Sequence, residues 1–123
     1  MITLYGIPNC DTVKSARDWL DERKVAYTFH NFKTDGLESA LVNAWMSAIG
    51  WEPLVNRKGT SWRRLDGAMQ QGIRDANSAR GLILSMPSVV KRPVVQWGDT
   101  LSKETLTVGF DEVEWAERVA GLK

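Results

Sequence analysis

Ile2-Thr3-Leu4-Tyr5-Gly6-Ile7-Pro8-Asn9-Cys10-Asp11-Thr12-Val13-Lys14 is the stretch on which the reading of this chain turns. Its opening residues are apolar and alternate, as in a buried strand; Pro8 to Thr12 form a sharp turn; Val13-Lys14 begins a helical pattern. The only cysteine therefore falls at a turn between a strand and a helix N-terminus. Backbone N–H groups of a first helical turn lack intrahelical partners and carry the positive end of the helix dipole, so an anion there is stabilised. A thiol in such a place can have its pKa drawn from about 8.5 into a range of roughly 3.5–7.5, and the thiolate is the nucleophilic form. The other reading of Cys10 is a small buried hydrophobe, the common fate of a free cysteine.

Working outward, Val13, Ala16, Trp19 and Leu20 recur at helical spacing over 11–22, with Lys14, Arg17, Asp18 and Asp21 on the opposite face. Residues 25–30 alternate as a second strand, and 31–36 read as its exit loop. A strand–helix–strand unit of this kind has a right-handed crossover and parallel strands. Cys10 is then expected at the carboxyl end of the first strand, where α/β sheets bind ligands. Residues 37–49 are helical by period, with Leu37, Ala40, Leu41, Ala44, Trp45 and Ala48 along one side and Gly50 as C-cap. After a turn and a polar loop, helix resumes past Thr60 or Ser61, either of which suits an N-cap. Arg57, Lys58, Arg63 and Arg64 concentrate positive charge here, read as a solvated face with one or two members turned to an anion. Residues 70–85 form a weaker helical segment, interrupted at Gly72 and Gly81, and 86–90 a short helix with Pro87 in its first turn. Residues 93–97 have strand composition, Gly98-Asp99 a hairpin turn and 100–102 a returning strand. A last helix over 112–119 is capped by Asp111, with Val113, Trp115, Ala116 and Val119 available for burial. The order is βαβ, a helical insert over about 37–90, then ββα.

At 123 residues the chain reads as one domain, large enough to bury about two-thirds of its unfolded surface without staples. One cysteine excludes an internal disulfide and a thiolate-rich zinc site, and with one histidine no metal centre is expected. No signal-peptide pattern or spanning apolar stretch is present, so a cytoplasmic location is expected. Sixteen Lys+Arg against fifteen Asp+Glu give a net charge of +1, so no bulk field draws the chain to nucleic acid or to membrane lipid. The six tryptophans are scattered, which favours packing over a stacking platform.

Four blocks carry a resemblance: residues 5–14, 56–65 (Asn56-Arg57-Lys58-Gly59-Thr60-Ser61-Trp62-Arg63-Arg64-Leu65), 87–94 (Pro87-Ser88-Val89-Val90-Lys91-Arg92-Pro93-Val94) and Val108-Gly109-Phe110. In this order they resemble the arsenate reductase (ArsC) and Spx family, within it the YffB-like subgroup, over essentially the whole chain. The resemblance implies a thioredoxin-like α/β fold, with a mixed four-stranded sheet and an inserted helical region. It also implies a nucleophilic cysteine matched by Cys10, and an arginine matched by Arg92 before a cis proline matched by Pro93. The subgroup's loop arginine aligns with Lys58, one place after Arg57. A further arginine that arsenate reductases proper carry after the second hairpin strand has its nearest counterpart in Lys103.

The expected site thus has Cys10 and Arg92 as catalytic groups, and Asn9, Thr12, Lys14, Arg57, Lys58 and Pro93 around the substrate. Asn9 and Thr12 are either hydrogen-bond donors to the sulfur or ordinary turn and cap residues. His30, at the end of the second strand, reads as a packing or solvated residue, since an ionised thiol needs no base. Val13 stands where a Cys-x-x-Cys pair would need its second thiol, so the resolving thiol comes from outside the chain. Glutathione is expected as co-substrate, regenerating Cys10 through a mixed disulfide. Basic residues would hold its carboxylates or the oxyanion of a small oxidised substrate; glutaredoxin is a further expected partner. The competing readings are an arsenate reductase and an Spx-like regulator that binds RNA polymerase without catalysis.

Overall fold

The computed structural model describes residues 1–122. The elements run β1 (Ile2–Gly6), α1 (Asp11–Glu22), β2 (Tyr27–Asn31), α2 (Ser39–Ile49), α3 (Thr60–Arg63), α4 (Gly67–Gln71), α5 (Ala76–Ser85), β3 (Val94–Gln96), β4 (Leu106–Val108) and α6 (Glu112–Gly121), with 3-10 turns at Glu52–Leu54 and Pro87–Val89. The four strands form one mixed sheet in the order β2-β1-β3-β4. β1 pairs in parallel with β2, Ile2 opposite Tyr27, and antiparallel with β3, Tyr5 opposite Val94. This is the expected thioredoxin-like arrangement.

β1 is central and covered on both faces, hence its almost unbroken apolar run. Ile2 and Leu4 face a cluster with Val13, Ala16, Trp19 and Leu20 of α1, Val95 and Trp97, and Trp115 and Val119 of α6. Tyr5 faces the other way, into a cluster with Val42 and Trp45 of α2, Ala79, Leu82 and Ile83 of α5, and Val94 and Leu106. Neighbours on a strand thus serve opposite layers, the period-two rule of a pleated sheet. Burying a side chain such as Leu4 or Val94 stabilises by on the order of 1.5–3 kcal/mol. Trp115 collects Trp19, Trp97 and Phe110 edge-on at centroid distances of 5.9, 5.0 and 4.7 Å. Trp97 Nε1 donates to the buried Thr107 Oγ1 at 2.9 Å.

Several expected elements shift. The returning strand is not 100–102 but β4, because Thr105 Oγ1 donates to Thr100 O and accepts from Ser102 N, folding that stretch into a self-bonded loop. The ladder then resumes where Trp97 N–H meets Thr105 O. β2 begins two residues later than expected, at Tyr27, and ends at Asn31. α2 begins after Leu37 and leaves Ala40 exposed; it buries Trp45 of the expected stripe against Tyr5 together with Val42, which lay outside that stripe. α3 has Gly59 at its N-cap, so neither Thr60 nor Ser61 caps it. Residues 70–85 are not one segment: α4 ends with Gly72 as C-cap, and α5 starts afresh from an Asp75–Ser78 capping box. Gly81 lies inside α5 without breaking it, its missing side chain leaving open space. Val113 and Ala116 are exposed, while α6 runs to Gly121 from the expected Asp111 cap.

Candidate functional site

Cys10 is the N-cap of α1, with extended backbone at φ −124° and ψ 122°. Its carbonyl accepts from Lys14 N–H at 2.9 Å. No side-chain oxygen caps this helix, whereas α4, α5 and α6 are each capped by an aspartate. The half-buried Cys10 side chain packs at the edge of the α1–α6 cluster. It therefore stands at the positive end of a twelve-residue helix, although its side chain makes no cap hydrogen bond to the first-turn N–H groups.

Gly6 fixes how close that helix end comes to the sheet. A Cβ built on Gly6 would lie 2.8 Å from Val13 Cγ2, closer than carbon atoms can approach, so only glycine lets the end of β1 lie under α1. The antiparallel register ends with Tyr5 opposite Val94, so the chain leaves β1 at Gly6 at the end of the sheet where Pro93 leads into β3. The Arg92–Pro93 peptide is cis, as the resemblance implied. Gly109 N–H donates to Pro93 O at 2.9 Å, which ties this turn to the end of β4. The Cys10 loop and the Arg92–Pro93 turn thus lie at the same end of the two central strands.

Arg92 Nη1 donates to Ser88 O at 2.7 Å, and its Nε is buried without a protein partner. The one hydrogen bond of this guanidinium thus goes to the Pro87–Val89 turn, and its Nε–H is left unpaired. Ser88 Oγ accepts from Ser61 Oγ at 2.7 Å, and Asn56 N–H donates to Val89 O, which moors the 56–61 loop along the Pro87–Val89 turn. On that loop the Arg57 guanidinium sits 5.6 and 5.8 Å from the ring centres of Trp51 and Trp62. Lys58 is exposed, its backbone N–H donating to Asn56 Oδ1 at 3.2 Å. Both adjacent cations are exposed, and of the two Arg57 has aromatic rings within cation–π range.

The remaining expected residues divide. Asn9 and Thr12 do not bond the sulfur: Asn9 Oδ1 accepts from Lys33 Nζ at 3.3 Å, and Thr12 is exposed in the first turn of α1. Lys14 borders a shallow cavity of about 210 Å³ with Pro8, Arg17, Asp18 and Asp21 on the outer face of α1. His30 is a packing residue, its Nε2 2.8 Å from Gly36 O and its ring 4.9 Å from that of Tyr5. Lys103 does not follow the second hairpin strand, because it precedes β4; the residue after β4 is Gly109, at φ +82°. The Lys91 stem lies 3.1 Å from where a Cβ of Gly109 would be, so no side chain fits at that position without displacing it.

Sequence reasoning missed Phe32, Lys33 and Ser88. With Ile7 and Pro87 they border a second cleft, of about 340 Å³. The signal was present, since β2 runs parallel to β1 and its exit must lie at the same sheet end as Cys10. Among the described residues no cluster of three or more His, Cys, Asp or Glu is arranged to hold a metal, and no helix is long and apolar enough to cross a membrane.

The arrangement has close parallels. The ArsC family model matches residues 5–118. The structure of the protein YffB superposes with a TM-score of 0.85 at 41% identity, covering 96% of this chain and 98% of that one. An arsenate reductase (ArsC) related protein from Brucella melitensis superposes with a TM-score of 0.74, also at 41% identity, over 94% of this chain and 92% of its own. The global transcriptional regulator Spx of Streptococcus agalactiae is 30% identical over 116 residues, which are 93% of this chain and 80% of the regulator. This chain belongs to the ArsC family.

Proposed function

We propose that the chain is a monothiol, glutathione-dependent thiol-disulfide reductase with Cys10 as nucleophile and Arg92 beside it. What supports this reading is the place of Cys10, the N-cap of α1, at the same end of the sheet as the Arg92–Pro93 turn that leads into β3. The Cys10 thiolate attacks the glutathione sulfur of a mixed disulfide; an S–S bond to Cys10 forms as the old one breaks, and the substrate leaves as its thiolate. A second glutathione thiolate then attacks the sulfur bound to Cys10. That step releases the Cys10 thiolate and forms glutathione disulfide, so one free glutathione is consumed per turnover: its thiol takes over the disulfide bond that the substrate loses, and the glutathionyl group passes from substrate to Cys10 to that thiol. The buried Nε–H of Arg92 and the first-turn amides of α1 stabilise the negative charge passing between sulfurs. Asn9, Lys58 and Arg57 are proposed as the polar groups that meet the substrate, with Arg57 within cation–π range of Trp51 and Trp62. Because free glutathione is the reductant, the reaction belongs to a reducing compartment, the cytoplasm.

The test is glutathione-dependent reduction of a glutathionylated peptide. Cys10→Ser is expected to abolish turnover while leaving the circular dichroism spectrum and unfolding midpoint unchanged. Full activity in that variant would overturn the reading. Arsenate-dependent oxidation of glutathione by the same preparation separates this reaction from arsenate reduction. The similarity to Spx favours one other reading, a regulator that binds RNA polymerase. A single cysteine cannot form an internal disulfide switch, so stoichiometric recovery of polymerase by the Cys10→Ser protein would support a non-catalytic role.

A further inference from the structure

We infer that Lys33 is the carboxylate anchor of the site and selects a small thiol or disulfide that carries a carboxylate, whose body occupies the cleft of Ile7, Phe32, Pro87 and Ser88. The inference rests on the reading of Cys10 as nucleophile and adds to it the residue that chooses the co-substrate.

The cleft, about 340 Å³, is of the size that takes a small organic ligand. Its walls come from three segments that meet at one sheet end: Ile7 after β1, Phe32 and Lys33 after β2, and the Pro87–Val89 turn whose Ser88 carbonyl holds Arg92. The walls are mainly apolar, and Lys33 is the cation on the rim. No carboxylate lies within ion-pairing distance of Lys33 among the described residues. Its ammonium instead meets a neutral partner, Asn9 Oδ1, at 3.3 Å, longer than the roughly 2.7–2.9 Å of a charge-assisted bond. A ligand carboxylate therefore offers Lys33 a better acceptor than it has. Asn9 is the residue before Cys10, so a carboxylate that takes its place on Lys33 is held one residue from the nucleophile.

The backbone under Lys33 is fixed while its side chain stays exposed. Lys33 N–H donates to Asn31 Oδ1 at 2.9 Å, and Asp35 closes the turn by accepting from Asn31 N–H at 3.0 Å. Phe32 N–H donates to Gly6 O at 2.9 Å, and the buried Phe32 ring packs on Trp45. The nearby acid, Asp35, is thus engaged with its own turn. An anchor held in this way loses little further backbone freedom when it binds.

The experiment measures formation of the mixed disulfide at Cys10 by intact mass, with glutathione disulfide and with the uncharged 2-hydroxyethyl disulfide. In each exchange the Cys10 thiolate forms one S–S bond, breaks another and releases one thiolate. The expected result is a rate ratio, glutathione disulfide over hydroxyethyl disulfide, that falls about three- to tenfold in Lys33→Ala, falls further in Lys33→Glu, and is largely restored in Lys33→Arg. The difference should shrink as salt is raised toward about 1 M, where charges are screened beyond about 3 Å. A ratio unchanged in Lys33→Ala, or one that Lys33→Glu leaves at the wild-type value, overturns the assignment of Lys33 while Cys10 remains the nucleophile. If the wild-type thiol exchanges with neither disulfide, the reading of Cys10 fails, and the role of Lys33 with it.

Discussion

Two buried residues near the site show how single atoms position it. Gly6 is required by contact, not by backbone angle, since the Cβ of any other residue would press into Val13 at 2.8 Å. Gly6→Ala is therefore expected to cost about 1–3 kcal/mol by overpacking. In urea denaturation, Gly6→Ala combined with Val13→Ala should lose less than the sum of the two single changes, because the second removes the atoms the first collides with. Tyr5 lies between His30 and Trp45, and burial pushes its phenol above the ordinary value of 10.0. The folded state therefore favours the neutral phenol. Its contribution is whole below pH 10.0 and is lost as the pH climbs through the raised folded value. Alkaline unfolding followed by circular dichroism should begin at higher pH in Tyr5→Phe than in the wild type. The position of Cys10 was legible in the chain as a thiol between a strand and a helix. The detachment of Asn9 and Thr12 from the sulfur was not, since Asn9 is drawn to Lys33, 24 residues away.

Of the three aspartate-capped helix starts, only that of α6 was legible in the sequence; the Asp66 and Asp75 caps went unread inside what looked like one weak segment. Asp111 caps α6 through Val113 and Glu114 N–H groups, as its spacing announced. Asp75 caps α5 reciprocally with Ser78, and hydrogen bonds from the Ser78 backbone and then its hydroxyl hold the Asp75 carboxyl below its ordinary value of 3.8. The ionised cap therefore contributes fully above pH 3.8, and its contribution is lost as the pH falls through the depressed folded value. Asp75→Asn keeps an acceptor for the cap and removes the titration. The acid limb of a stability–pH curve is expected to be shallower in this variant than in the wild type; an unchanged slope would show that the cap does not titrate with folding. β4 was misplaced for the complementary reason. Thr100, Ser102 and Thr105 have strand-like composition, but their hydroxyls bond the local backbone and divert it into a loop.

At the scale of the molecule, one sheet separates two apolar layers that share only its strands. Leu20 is buried in the α1–α6 layer and Ile83 in the α2–α5 layer. Leu20→Ala is expected to cost about 2–5 kcal/mol and Ile83→Val about 0.5–1.5 kcal/mol. The double variant should match their sum within about 0.5 kcal/mol, because the two side chains have no common partner. A coupling well beyond that in urea denaturation would mean that the layers communicate through the sheet. The sequence by itself determined the order of elements and the strand–helix placement of Cys10, because hydrophobic period and turn chemistry are local properties. Only the tertiary structure decided that Arg57 rests against Trp51 and Trp62, that Lys103 lies away from the end of β4, and that Lys33 reaches the Cys10 loop. The last joins segments 24 residues apart and follows from the parallel register of β1 and β2; the first two depend on how the 51–62 and 98–105 loops fold back on themselves, which hydrophobic period does not encode.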